Sequence, residues 1–226
     1  MFGLTGFGAA LITIPLATHF VPLQFALALY ALSDLTAALR VGFEAPRNAV
    51  RSEWARLVPM IALGTALGVT VLVKLPRAAG MLALGVFVVG YALYSLLRRE
   101  SAARVSPGWG WVAGLAGGIT STVFGAGGPP YAIYLSHRGL TKEQFRATMG
   151  FATLTSISLR VVAFLVTGLL LDKRVWLLAI GVVPAALAGT WVARRIFLRI
   201  SREQLLKAVA LVLLVTGGSL LLRALH

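Results

Sequence analysis

Residues 124–130 read FGAGGPP and interrupt an apolar stretch that spans residues 107–135. Glycine costs about 1 kcal/mol and proline about 3 kcal/mol inside a helix, so a regular helix is predicted to end here. Backbone left unpaired at membrane depth is tolerated only where it is buried in protein or lines a water-filled cavity. The break is therefore either a helix kink or a candidate binding site.

An unwound glycine turn of this kind suits an anion. Its free N–H groups, together with the partial positive charge of a following helix N-terminus, form a concave site for a negatively charged group. Pro130 fits the first position of such a helix because it has no N–H to leave unpaired. Thr120, Ser121 and Thr122 precede the break as candidate hydroxyl donors, although Ser and Thr in membrane helices more often bond their own backbone.

Three charged residues, Asp34, Arg40 and Arg160, lie within or at the ends of apolar segments. Charges at this depth are costly and usually face the bundle interior or a cavity. Arg160 can present two N–H groups to an oxyanion, whereas Arg40 is better explained as a side chain that reaches the membrane surface from a helix end. Asp34 is predicted to form a structural ion pair with Arg160 or Arg40, or to exchange a proton, with the pair favoured.

The composition predicts an integral membrane protein in the cell membrane. The chain has 226 residues, of which 58% are hydrophobic and 12% charged, against about 25% charged in soluble domains. Its net charge of +14 falls in short loops between apolar runs, where lipid headgroups explain it and a nucleic-acid partner is not expected. Without cysteine, and with three scattered His, no metal or other cofactor is expected.

Eight helical segments are predicted, and the fold class is an all-α polytopic membrane protein. Six segments are long enough to cross a bilayer, which takes about 20 residues; they span residues 22–39, 57–73, 78–97, 147–171, 175–193 and 205–222. Two more, residues 2–20 and 107–135, carry the glycine breaks.

The chain also repeats itself, which predicts two homologous halves, residues 1–100 and 101–226, within one membrane domain. Gln24-Phe25 recurs as Gln144-Phe145, and Gly6-x-Gly8 matches Gly125-x-Gly127. The first repeat is expected to be short at its N-terminal side, because few residues precede Gly6. The repeat gives the break a counterpart and favours a binding site between the halves over a kink.

The distribution of Lys and Arg favours an inverted repeat. If the two glycine segments enter and leave on the same face, and Arg40 and Arg160 are set aside as intramembrane, fourteen basic residues lie on one face and five on the other. Such an asymmetry is what the positive-inside rule expects. Inverted repeats whose broken helices meet near the midplane are a common transporter plan.

Together these features resemble the TauE/SafE family of sulfite and organosulfonate exporters. The resemblance rests on the glycine motifs, GLTGFGAALITIPL at residues 3–16 and GAGGPPY at residues 125–131, and on the length and paired halves. Both motifs depart from the family's G-x-G-G-G pattern, at Ala9 and Ala10 and at Pro129. The resemblance implies a transporter, with an exporter expected, for sulfite, an organosulfonate or a related sulfur or carboxylate anion.

The predicted substrate contacts therefore combine the two glycine turns with nearby donors. They are Gly6, Gly8, Thr122, Gly125, Gly127, Gly128 and Arg160, with Asp34 and Arg40 as a coupling or structural ion pair. An anion channel and a non-transporting membrane scaffold are the alternatives, and the sequence leaves open whether the chain forms a homo-oligomer. An intramembrane enzyme is least expected, because no H-E-x-x-H or G-x-S-x-G motif is present.

Overall fold

The computed structural model describes residues 9–42, 46–97, 104–197 and 202–225. Within these ranges the chain is helical and contains no β-strand, which confirms the all-α fold class. The nine α-helices of the described ranges are α1 (Ala9–Ala17), α2 (Leu23–Gly42), α3 (Arg51–Lys74), α4 (Arg77–Leu97), α5 (Trp109–Phe124), α6 (Gly128–Ser136), α7 (Lys142–Val166), α8 (Lys173–Phe197) and α9 (Arg202–Leu225). They correspond to the eight predicted segments, because the glycine break divides one segment into α5 and α6.

Several of these helices have the length and composition of membrane spans. Among the described residues α3, α4 and α7 are long and apolar enough to cross a bilayer, and α2 and α9 contain shorter apolar runs, Leu23–Leu39 and Leu211–Arg223. Large apolar side chains such as Leu97, Val166 and Ile180 are exposed on the outer surface of the bundle. Such side chains suit contact with lipid, which agrees with the predicted membrane protein.

The segment with the glycine break forms a helical hairpin. Tyr134 of α6 lies against Gly110 at the start of α5, and Tyr131 lies against Gly117 further along it, so the two helices run in opposite directions. At the open end of the hairpin the Val105 N–H donates to the His137 carbonyl oxygen at 3.2 Å. The segment therefore enters and leaves on the same face of the bundle and does not cross it.

Helices α3 and α5 pack in parallel through glycines on both sides. Gly114 of α5 lies against Leu57, and Gly118, one turn later, lies against Ile61 and Gly64 of α3. A Cβ atom on Gly118 would sit 2.5 Å from the Ile61 carbonyl oxygen, so the two backbones are in direct contact. This small-residue packing holds the hairpin against α3.

The remaining contacts place the helix ends on two opposite faces. The Val50 N–H donates to Thr148 Oγ1 at 2.9 Å, so α3 and α7 begin on the same face, which is also the open end of the hairpin. The Gln24 side chain donates to the carbonyl oxygens of Leu72 and Leu75, so α2 begins on the opposite face, where α3 ends. These directions agree with the predicted topology, and the inverted repeat itself stays a prediction.

Candidate functional site

A small cavity lies at the glycine break, where the predicted halves meet. It is lined from the first half by α1 and α2 and from the second half by the glycine loop, α5, α6 and α7. Its volume is about 20 Å³, which is room for about one water-sized molecule. The polar or charged lining side chains are Tyr30, Asp34, Ser121, Tyr131, Thr153 and Ser156. An anion larger than water can enter only if these walls move apart.

The glycine loop is built from a helix ending and a close approach. Gly125 adopts a left-handed conformation with φ of 71°, which glycine alone adopts without strain. This turn directs the N–H groups of Gly125 and Ala126 to the carbonyl oxygen of Thr120. The Ser121 carbonyl oxygen is thereby deprived of its usual helical partner, the N–H four residues later.

Arg160 supplies the missing donor. Its side chain has no exposed surface, and its Nη1 donates to the Ser121 carbonyl oxygen at 2.8 Å. Its Nη2 donates to Asp34 Oδ2, also at 2.8 Å, and forms an ion pair with it. Arg160 thus joins α2 of the first predicted half to the glycine break of the second. Of the two partners considered for Asp34, the structure shows Arg160.

The pair is incompletely satisfied. Among the described residues, Asp34 Oδ1, Arg160 Nε and Thr153 Oγ1 are buried and make no hydrogen bond of good geometry, although the Tyr30 hydroxyl lies near the Asp34 carboxylate. A buried polar atom without a partner costs about 1–3 kcal/mol. Asp34 and Thr153 line the cavity and Arg160 is bonded to Asp34, so these atoms are candidates for contact with a further polar group.

Tyr131 forms the floor of the cavity on the α6 side. It is fully buried, lies against Gly117, and its hydroxyl donates to Ser156 Oγ at 3.1 Å. Neither Tyr131 nor Tyr30 was among the predicted contacts. A tyrosine one residue after the two prolines could have been suspected from the sequence, but Tyr30 has no local signal.

Some of the predicted site residues line the cavity and others do not. Gly125, Gly127 and Gly128 line the cavity, and Arg160 touches its wall through Asp34 and Ser121. Thr122 does not line it, because its side chain faces Gly68 on α3 and its hydroxyl donates to the Gly118 carbonyl oxygen at 2.9 Å. Gly6, Gly8 and the side chain of Arg40 lie outside the described part of the chain.

A second buried carboxylate, Glu53, closes the open end of the α5–α6 hairpin. Glu53 is 4% exposed, and its Oε1 accepts from Arg56 at 2.9 Å and from Arg138 at 2.9 and 3.1 Å. Tyr134 donates to Glu53 Oε2, and Arg138 also donates to the Val105 carbonyl oxygen at 2.6 Å. The hydrogen bond to Glu53 holds the pKa of Arg138 above its usual value.

This cluster was not predicted, because its members are 81 and 85 residues apart in pairs such as Tyr134–Glu53 and Arg138–Glu53. The only sequence signal is that Glu53 is one of seven acidic residues among many basic ones. In the folded protein it ties the start of α3 to the end of α6, and so fixes the hairpin to the bundle.

Glu53→Gln is expected to destabilise the protein by about 1–3 kcal/mol, because it removes the negative charge that two arginines share. For a chain of this size that corresponds to a fall in the unfolding midpoint of roughly 2–4 °C per kcal/mol. Thermal unfolding in detergent measures it. Glu143→Gln, at an exposed position in the first turn of α7, is the matched control, and equal shifts in the two variants would refute the structural role of Glu53.

The sequence was compared with known proteins and protein families. The family model described as "Sulfite exporter TauE/SafE" matches residues 1–220. A "Probable inner membrane transporter protein TsaS" from Comamonas testosteroni is 24% identical over 168 residues, which cover 73% of this chain and 69% of that protein. No solved structure matches. The match extends over the glycine loop, Asp34 and Arg160 alike, and the chain belongs to the TauE/SafE sulfite exporter family of membrane transporters.

Proposed function

We propose that this transporter is an exporter of a small anion, with sulfite, organosulfonates and related carboxylates as its substrate class. The observation that carries the proposal is Arg160, a fully buried guanidinium held beside a cavity at a break between membrane helices. Buried cations within a bundle usually mark the path of a substrate or ion. We assign the protein no enzymatic activity.

The chemistry around the cavity favours an oxyanion. Gly127 directly precedes α6 and Gly128 begins it, so their N–H groups have no acceptor within the helix, and the helix N-terminus adds partial positive charge. Pro129 and Pro130 contribute no N–H. The hydroxyls of Ser121, Thr153 and Ser156 line the same cavity. These donors, with Arg160, can surround several oxygen atoms of a sulfonate, sulfite or carboxylate group.

The position of the cavity supports alternating access. Its lining comes from both predicted halves, residues 1–100 and 101–226, and in inverted-repeat transporters the substrate site lies at the interface of the repeats near the midplane. The small volume of the cavity corresponds to a conformation closed around the site. We place the protein in the cell membrane, in agreement with the name of the Comamonas relative, which assigns that protein to the inner membrane.

Flux measurements in proteoliposomes test the proposal. Purified protein is expected to exchange internal labelled anion for external sulfite, an alkyl sulfonate or a carboxylate, with a rate that saturates as the external anion concentration rises. Inorganic cations and neutral sugars serve as negative controls in the same vesicles. A rate that rises linearly without saturation would indicate a channel, and absence of exchange with every anion of the class would refute the proposal.

A further inference from the structure

We propose that the transported anion and the Asp34 carboxylate compete for Arg160, and that one proton on Asp34 accompanies each monovalent anion across the membrane. The inference rests on the proposed function and adds the coupling ion to it. It makes the protein an electroneutral proton–anion cotransporter.

The geometry of the ion pair provides the first step. Asp34 lines the cavity. Its Oδ2 accepts a hydrogen bond from Arg160 Nη2, and the Ser121 carbonyl oxygen accepts one from Arg160 Nη1. An anion that enters the cavity and approaches the Arg160 guanidinium therefore meets the Asp34 carboxylate, which is already paired with that guanidinium. A further donor of the guanidinium, Arg160 Nε, is buried and has no partner in the described part of the chain.

Charge balance provides the second step. In the empty site the positive charge of Arg160 and the negative charge of Asp34 cancel. Adding a monovalent anion would leave a net negative charge buried in a low-dielectric interior, which costs several kcal/mol. If the Asp34 carboxylate takes up a proton from the open side, it becomes a neutral acid, and Arg160 is released to pair with the anion. The loaded site is then neutral again, and the cargo is one proton and one anion.

The surroundings of Asp34 single it out as the proton acceptor. Within the described ranges, the titratable or charged side chains that face it from the packed helices are Tyr30 on α2, Tyr131 on α6 and Arg160 on α7. The rest of the cavity lining that faces it contributes hydroxyl groups from Ser121, Thr153 and Ser156. Among these groups the Asp34 carboxylate is the one that is an anion in its ordinary state at neutral pH, so it is the one that a proton neutralises.

Two measurements on the wild-type protein test this stoichiometry. Methanesulfonate is the probe, since it stays ionised throughout, so that any pH dependence of binding belongs to the protein. Its apparent Kd is expected to rise about tenfold per pH unit wherever Asp34 is ionised in the empty site, because binding takes up one proton. In vesicles, net methanesulfonate uptake is expected to acidify the lumen, and net release to alkalinise it, by one proton per anion. Neither rate is expected to change with a potassium–valinomycin potential.

The variant Asp34→Asn distinguishes protonation of Asp34 from other effects of pH on the protein. In this variant the pH slope of methanesulfonate affinity is expected to disappear, and any remaining flux becomes sensitive to membrane potential. Asp172→Asn, on the loop before α8, is the matched control and keeps the wild-type slope. Net methanesulfonate flux by the wild type without proton movement overturns this inference but leaves the proposed function standing, whereas absence of any exchange or net flux overturns both.

Discussion

Replacing Arg160 with methionine is expected to reduce anion exchange by roughly thirtyfold or more. The substitution removes a buried, charged donor, and such a loss costs roughly 2–5 kcal/mol of binding. It also leaves the Asp34 carboxylate in the cavity without its ion-pair partner, so an anion would meet an uncompensated negative charge. Exchange of labelled sulfonate in proteoliposomes measures the effect.

A stability measurement distinguishes lost binding from lost folding. Arg160→Met alone is expected to cost about 3–5 kcal/mol of stability, because a buried charge loses its partner. The double variant Asp34→Asn, Arg160→Met removes both charges and is expected to recover much of that stability, though not the exchange. If the double variant is well folded and exchanges anions at the wild-type rate, Arg160 does not contact the substrate.

Gly64→Ala is expected to lower both stability and exchange, although Gly64 does not touch the cavity. The added Cβ would overlap the Leu115 carbonyl oxygen and lie 3.0 Å from the Ile119 backbone nitrogen. Since both obstacles are backbone atoms, no side-chain rotation relieves them, and α5 must move away from α3. Overpacking of this kind costs about 1–3 kcal/mol. Displacing α5 also shifts the glycine loop relative to Arg160, which is why exchange falls.

Gly90→Ala is the matched control for this effect. Gly90 lies in α4 with no atom within 4 Å of an added Cβ, so alanine there is expected to be neutral or to stabilise the helix by up to about 1 kcal/mol. Thermal unfolding in detergent and sulfonate exchange are measured on both variants. If both variants unfold at the same temperature and exchange sulfonate at the same rate, the glycine packing of α3 against α5 does not hold the site in place.

The features that could be predicted from the sequence depend on the residue types within one short segment. The break at Gly125–Pro130 follows from backbone propensities alone, and the six spans follow from hydropathy, so both were predicted within a few residues. Asp34 and Arg160 were identified because charges are rare in apolar segments. Pairing them needed only the expectation that such charges neutralise each other. Each of these features depends on the residues of one or two short segments.

The features that were missed depend on contacts between distant segments. Thr122 and Ser121 are adjacent and both polar, and only the packing of α5 against α3 decides that Ser121 lines the cavity while Thr122 faces Gly68. Tyr30 belongs to the cavity because α2 passes the hairpin tip. The Glu53 cluster forms because the hairpin returns to the face from which α3 starts, and no local pattern encodes that return.

The two prolines after the glycine loop also restrict how the protein can move. If α5 and α6 straightened into one helix, Pro129 and Pro130 would leave the carbonyl oxygens of Gly125 and Ala126 without donors. Straightening the bend would therefore cost two backbone hydrogen bonds. If the protein works as proposed, we expect the hairpin to move as one unit against α1, α2 and α7, with the shape of its tip unchanged.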